Sequence, residues 1–277
     1  MKRMVLAVVV FAVIAGLLWL AVYDFLLISR HIGQKDFWRF IQPQVVTGND
    51  PARILEVPAS RKKHSLETPY QFAVRENMTR GIVETDRYLL YLPEDVDWRK
   101  KFPLVFAMSP DGNAEPMFRA WRKTADKHKW ILASSKEHRN GIDFSKIMPL
   151  LTRTIHDIQA AYPVDRSRVI ASGFSGGGMG AHYMSMAYPD LISAVVVNTC
   201  MIHENFENGK GYQGPSGQRA VFLASPTDFR YDEMRRNKDL LDRLGWKTKW
   251  IEFSEGHTIA PDSAYQEAAQ WLAEQFQ

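Results

Sequence analysis

Cysteine is almost absent from this chain: of 277 residues only Cys200 carries a thiol. An intramolecular disulfide and a multi-thiolate zinc or iron–sulfur site are therefore excluded, and only a disulfide between two copies of the chain survives. Glycine and proline, 17 and 14 residues, fall short of the bias that marks linkers, collagen or low-complexity sequence. No internal repeat is visible. H-E-x-x-H and G-x-x-x-x-G-K-[ST] are both missing, which removes the usual signatures of a zinc hydrolase and of a nucleotide-binding P-loop; neither a metal nor a cofactor is expected. Gly176-Gly177-Gly178-Met179-Gly180 has the composition of a phosphate loop, but no lysine follows at the required spacing. A basic surplus is missing too from most of the chain, although the formal net charge is +4. Nine of the 35 Lys and Arg and only five of the 31 acids precede residue 71, so the remainder carries equal numbers of each. Nucleic-acid binding thereby loses its electrostatic footprint.

The first 70 residues are unlike the rest. After Lys2 and Arg3, the 20 residues from Met4 to Tyr23 contain no charge and no strongly polar side chain. As a helix they rise about 30 Å, the thickness of a bilayer's hydrocarbon core. This predicts a transmembrane helix within an N-terminal membrane anchor over residues 1–28. The run ends in bulky Tyr23, Asp24 and Phe25, unlike a signal-peptidase site; cleavage near Val13-Ile14-Ala15, giving a secreted protein, is the alternative. Lys2 and Arg3 nearly balance Arg30, Lys35 and Arg39, and a short basic N-terminus ahead of a large domain favours a single-pass protein with that domain on the non-cytoplasmic side. Residues 29–75, with Pro43, Pro51, Pro58 and the basic Arg61-Lys62-Lys63-His64, read as a stalk, and the basic cluster as a solvated stretch in preference to a lipid-headgroup contact.

From residue 76 to 277 the pattern becomes regular. Strands are expected at Tyr88 to Leu92, Leu104 to Met108, Trp130 to Ser134, Arg168 to Ser172, Ala194 to Asn198, Ala220 to Ala224 and Lys249 to Phe253, and helices near 115–128, 144–161, 176–187, 231–244 and 262–276. This alternation predicts an α/β domain, a mostly parallel sheet with helices on both faces. Active residues of such folds sit on loops at the carboxyl ends of the strands.

After the strand Arg168 to Ser172 comes Gly173-Phe174-Ser175-Gly176-Gly177. The G-x-S-x-G pattern is that of a nucleophile elbow, which exposes a serine hydroxyl on a tight strand-to-helix turn. Four glycines within the first turns of a helix cost it about 1 kcal/mol each relative to alanine, so a close approach must demand them. A serine hydroxyl is a weak nucleophile at neutral pH and needs a base held by a third group. Of the eight histidines, His257 fits that role: it follows the last expected strand and precedes the last helix. His182 lies inside the elbow's own helix, His31 and His64 belong to the stalk, and His128, His138, His156 and His203 precede the position of the acid without a matching strand end. Asp228, on the loop after Ala220 to Ala224, suits the orienting carboxylate. A helix cap is its other use, and Glu255 is a second candidate acid.

Together the series Tyr91-Leu92-Pro93, Phe102-Pro103-Leu104-Val105 and Asp165-Arg166-Ser167-Arg168-Val169 leading into the elbow, with Asp228 and His257, resembles the α/β-hydrolase superfamily over roughly residues 80–277. More narrowly it is similar to the polyhydroxybutyrate-depolymerase and feruloyl-esterase-like serine esterases. The resemblance implies hydrolysis of a small-molecule or polymeric carboxylic ester through an acyl-serine intermediate, without metal or organic cofactor. One departure stands out. That family usually has His-Gly and another glycine after the strand matching Leu104 to Met108, supplying half the oxyanion hole, where this chain reads Ser109-Pro110-Asp111-Gly112-Asn113. Pro110 has no N–H to donate. The hole is then expected to combine the Gly176 amide with that of Asp111 or Gly112. The same three side chains also suit an acyltransferase or a serine peptidase, and the departure leaves room for a non-catalytic binding module. Cys200 to Arg219, the longest irregular stretch, reads as either a pocket wall bearing Met201, Phe206 and Tyr212 or an ordinary surface loop.

Overall fold

A computed structural model describes residues 81–277, apart from 95, 98, 210, 211 and 213. The expected anchor, the stalk and the boundary at residue 76 lie outside the described residues, and no described helix is long and apolar enough to cross a membrane.

Eight strands form one sheet. Its centre is β3 (Phe102–Met108), β5 (Val164–Phe174), β6 (Ala194–Asn198) and β7 (Arg219–Ala224), flanked by β8 (Lys247–Glu252) on one side and β4 (Ile131–Ser135), β2 (Tyr88–Tyr91) and β1 (Ile82–Glu84) on the other; the order across the sheet is β1-β2-β4-β3-β5-β6-β7-β8. The pairings from β4 to β8 are parallel, and β2 joins β4, and β1 joins β2, antiparallel. The paired middles of the central strands, Leu104 to Met108, Val169 to Ala171, Ala194 to Val197 and Ala220 to Ala224, are apolar because both faces are covered. Along β3, Leu104, Phe106 and Met108 face one core and Val105 and Ala107 the other; along β7, Ala220, Phe222 and Ala224 oppose Val221 and Leu223.

Helices α2 (Phe144–Ala161), α3 (Gly176–Ala187) and α4 (Tyr231–Arg243) close the first core, and α1 (Glu115–His128) and α5 (Asp262–Gln275) close the second. Helix α1 shows why: Met117, Phe118, Trp121 and Ala125 recur at helical spacing and are buried, while Glu115 and Arg119 pair on the outside. The buried Trp121 indole N–H donates to Ser172 Oγ at 2.9 Å, tying α1 to β5 just before the elbow.

Three expectations need correction. Strand β1 lies outside them because three residues show no readable period. Strand β5 begins four residues before the expected Arg168, and its register against β3 shifts between Phe102 and Leu104, where Pro103 has no ladder donor. Strand β8 starts at Lys247 instead of Lys249, since Lys247 N–H already bonds Gln218 C=O at 2.8 Å.

Candidate active site

Between β5 and α3 a single residue turns the chain, Ser175, at φ 52° and ψ −124°. A non-glycine residue at positive φ costs on the order of 1–3 kcal/mol and persists only where its surroundings dictate it. They do here. A Cβ on Gly173 would lie 2.3 Å from the Gly177 carbonyl, and one on Gly177 would lie 2.2 Å from Met108 O. Both obstacles are backbone, so only glycine lets α3 start this close to β3 and β5. Ser175 N–H bonds Asn198 C=O at 3.0 Å, and Met179 N–H to Ser175 C=O at 3.1 Å is the first hydrogen bond of the helix. The amides of Gly176, Gly177 and Gly178 thus stand ahead of the helical ladder, at the positive end of the helix dipole.

The structure brings Ser175, His257 and Asp228 together from three loops at the carboxyl end of the sheet. Ser175 Oγ–H donates to His257 Nε2 at 3.0 Å, and His257 Nδ1–H donates to Asp228 Oδ2 at 2.6 Å. An ionised carboxylate only accepts, so the Asp228 bond fixes the proton on Nδ1 and leaves Nε2 as the acceptor facing the serine. The Asp228 side chain is wholly inaccessible, and its other oxygen accepts from Arg230 N–H at 2.6 Å, so orienting the imidazole and opening the turn into α4 are done by one carboxylate. Glu255 instead bonds Ser254 N–H. Phe174 and Phe229 flank the imidazole at ring distances of 5.3 and 4.7 Å, and Phe229 is 63% exposed.

Asn198, at the end of β6, organises this site and has no counterpart among the sequence-based candidates. Besides accepting the Ser175 amide through its backbone, its buried side chain holds both ends of the loop after His257. Oδ1 accepts from Ala260 N–H at 2.7 Å and from Tyr265 O–H at 3.0 Å, and Nδ2 donates to Thr258 C=O at 3.1 Å and to Thr199 Oγ1 at 3.3 Å. The signal available in the sequence was an amide closing an otherwise Val-rich strand. Thr199 follows at φ 44°, an outlying conformation for a β-branched residue.

On the other side of the elbow, the loop after β3 turns on Asp111. Its Oδ1 accepts from Asn113 N–H at 2.9 Å and shares the Ser109 hydroxyl proton with the Asn113 carbonyl, so the carboxylate is engaged within its own turn, and Gly112 takes φ 79°. Beside this turn runs the loop after β4, where His138 Nδ1–H donates to Ser109 C=O at 2.8 Å. His138 therefore does follow a strand end, contrary to expectation, but as a buried neutral ring whose protonation burial disfavours. His182 is buried inside α3, its pKa pushed down to about 3 by burial. Burial also raises the Cys200 thiol, which stays protonated against the elbow helix.

The pocket-wall expectation for Met201, Phe206 and Tyr212 is corrected. Phe206 packs in the core 5.2 Å from Tyr183, and Tyr212 packs at a tilt against Trp246, 5.5 Å between rings, at the amino end of β8, away from Ser175. Met201 alone stays near the site, its sulfur against Arg230. Among the described residues no three His, Cys, Asp or Glu side chains converge as around a metal ion.

No protein-family model matches the chain, and no curated protein matches it in sequence. Solved structures do match. The fluorophosphonate-binding serine hydrolase FphF of Staphylococcus aureus is 15% identical at a TM-score of 0.53, with 69% of this chain and 94% of that one covered. The Bacillus cereus carboxylesterase is 16% identical at 0.55, covering 74% and 99%, and esterase 2 of Thermogutta terrifontis is 14% identical at 0.53, covering 71% and 93%. At such identities the likeness speaks for the fold, and the strand order, the elbow and these neighbours agree: the chain has the α/β-hydrolase fold.

Proposed function

We propose that this protein is a serine hydrolase that cleaves carboxylic esters through an acyl-serine intermediate, tethered to a membrane by its N-terminal apolar run with the hydrolase domain on the non-cytoplasmic side. The observation that carries the reading is the unbroken hydrogen-bond chain from Ser175 through His257 to the inaccessible Asp228. That several solved neighbours are esterases supports the substrate class.

Ser175 Oγ attacks the acyl carbon as His257 Nε2 takes its proton. The carbonyl oxygen, now an anion, accepts hydrogen bonds from Gly176 N–H and from an amide of the Asp111–Gly112 turn. Collapse breaks the bond to the leaving alcohol, which receives the proton from His257. Water then attacks the acyl-serine by the same route, releasing the acid and restoring the serine. Asp228 remains ionised and stabilises the imidazolium formed in each half. The Asn113 N–H that the Asp111 carboxylate accepts within its own turn partly offsets the charge that would oppose the anion.

The test is fluorophosphonate labelling and p-nitrophenyl ester turnover by the full chain. Wild type labels and turns over, Ser175→Ala does neither, and Asp228→Asn loses about 10⁴-fold in kcat. An unlabelled, inactive wild type refutes the enzyme; equal labelling of Ser175→Ala refutes the nucleophile. Alkaline carbonate washing of membranes tests the tether, because a spanning helix stays in the pellet.

A further inference from the structure

The loops after β3 and β4 run side by side. Asn140 N–H bonds Pro110 C=O at 2.7 Å, Asp111 and Arg139 pair as an isolated antiparallel bridge, and His138 ties to Ser109 below them. This ribbon carries the Asn140 side chain onto the elbow. A Cβ at Gly176 would fall 1.7 Å from Asn140 Oδ1, 2.6 Å from its Cγ and 2.9 Å from its Nδ2, so the whole carboxamide occupies the space that any other residue at 176 would fill. It is half-buried and makes no hydrogen bond to another described residue.

The position matters because of what the neighbouring backbone lacks. In the region between the Ser109–Asn113 turn and Gly176, Pro110 offers no N–H, and a buried anion forming there needs more than one donor. Asn140 supplies two N–H groups on a head group pressed against the residue whose amide is already the first donor. Rotation of the carboxamide by 180° exchanges Nδ2 and Oδ1 with little change in shape, so either atom can face the anion.

We propose that the Asn140 carboxamide is a catalytic donor of the oxyanion hole in addition to the Gly176 amide and the amide of the Asp111–Gly112 turn, standing in for the one that Pro110 cannot provide; this rests on the serine-hydrolase reading above. Glycine at 176 is then required as the vacancy that admits the donor. Asn140 makes its bond to the tetrahedral oxyanion and not to the planar ester, so its loss falls on kcat.

The experiment compares the full-length wild type with Asn140→Ala and Asn140→Asp, using a p-nitrophenyl ester and an aryl trifluoromethyl ketone, whose serine adduct places an anionic oxygen in the hole. Asn140→Ala is expected to lose about 10²- to 10³-fold in kcat with KM unchanged, and to lose affinity for the trifluoromethyl ketone by the same factor. The acid limb of its kcat/KM profile keeps the wild-type midpoint, since His257 is untouched. Asn140→Asp, equal in size, unable to donate when ionised and repelling the anion, gives at least that loss in kcat at pH 8 and carries the test if the alanine variant does not fold. Retention of kcat, or a loss confined to KM, overturns the proposal and makes Asn140 a pocket wall. A wild type that neither labels with a fluorophosphonate nor turns over brings down the hydrolase reading and this proposal with it.

Discussion

Replacing Asn198 by aspartate changes one atom of the site. Aspartate keeps an oxygen to accept from Ala260 N–H and Tyr265 O–H, but it turns the Nδ2 that donates to Thr258 C=O at 3.1 Å into a second oxygen. The Thr199 hydroxyl can rotate to donate, so the specific damage is an orphaned Thr258 carbonyl, about 1–3 kcal/mol. To this is added the cost of a carboxylate held 1% exposed by neutral donors. At pH 8 the sum is about 3–5 kcal/mol, which for a domain of this size lowers Tm by roughly 6–20 °C. Burial raises the folded-state pKa of the new carboxyl above its unfolded value of about 3.9. A raised folded pKa contributes stability below the unfolded value and loses it as pH rises through the folded one, so the deficit against wild type grows with pH. The loop carrying His257 loosens with it, and fluorophosphonate labelling slows about 10²-fold, the penalty of an imidazole misplaced by an ångström. Thermal melts of both proteins at pH 5 and pH 8, with labelling rates at pH 8, decide the matter. Co-melting at pH 8, or a deficit that shrinks as pH rises, refutes the idea that Asn198 holds the base loop through its amide nitrogen.

Two further outcomes are expected. Gly177→Ala, whose methyl would sit 2.2 Å from the Met108 carbonyl, loses at least about 3 kcal/mol in urea unfolding together with ester turnover, because neither backbone can yield; wild-type stability would show that the elbow has slack. His182 is fully buried with neither ring nitrogen partnered among the described residues, and its pKa is pushed down to about 3 from an unfolded value of about 6.5, so the unfolded chain alone binds that proton between those values and stability falls as pH drops through them, by up to about 1.4 kcal/mol per pH unit. His182→Leu then unfolds at higher urea than wild type at pH 7, by about 1–3 kcal/mol, and its stability between pH 7 and pH 5 falls less steeply; an unchanged slope would show that the proton is not excluded.

Much of the fold was legible because apolar runs and amphipathic stretches obey local periods. Strand β6, Ala194 to Asn198, needed no tertiary information, while β1 was too short to show a period and Pro103 displaced the register of β5 in a way only pairing reveals. The elbow was readable for a related reason: Gly173 records a steric demand made by Gly177 within five residues of chain, and the obstacle that requires glycine at 177, the Met108 carbonyl, leaves its mark in the same short motif. Asn198, Asn140 and His138 were not, since each acts through partners on other loops and each alone is an ordinary polar residue near a strand end. Tyr212 failed in the opposite sense, an aromatic that looked available and packs against Trp246 at the far end of the sheet.

By itself the sequence determined the alternation of strands and helices, the apolar N-terminal run, the neutral balance of the domain and the glycine-framed turn that carries Ser175, because these rest on periodicity, length, charge and the spacing of a few neighbouring residues. Only the tertiary structure decided that Asp228 and not Glu255 meets His257, that Asp111 spends its carboxylate inside its own turn, and that Asn140 and Asn198 close on the elbow from either side. Those are matters of direction at hydrogen-bond range between loops as far as 82 residues apart, as for His257 and Ser175, and no local pattern encodes them.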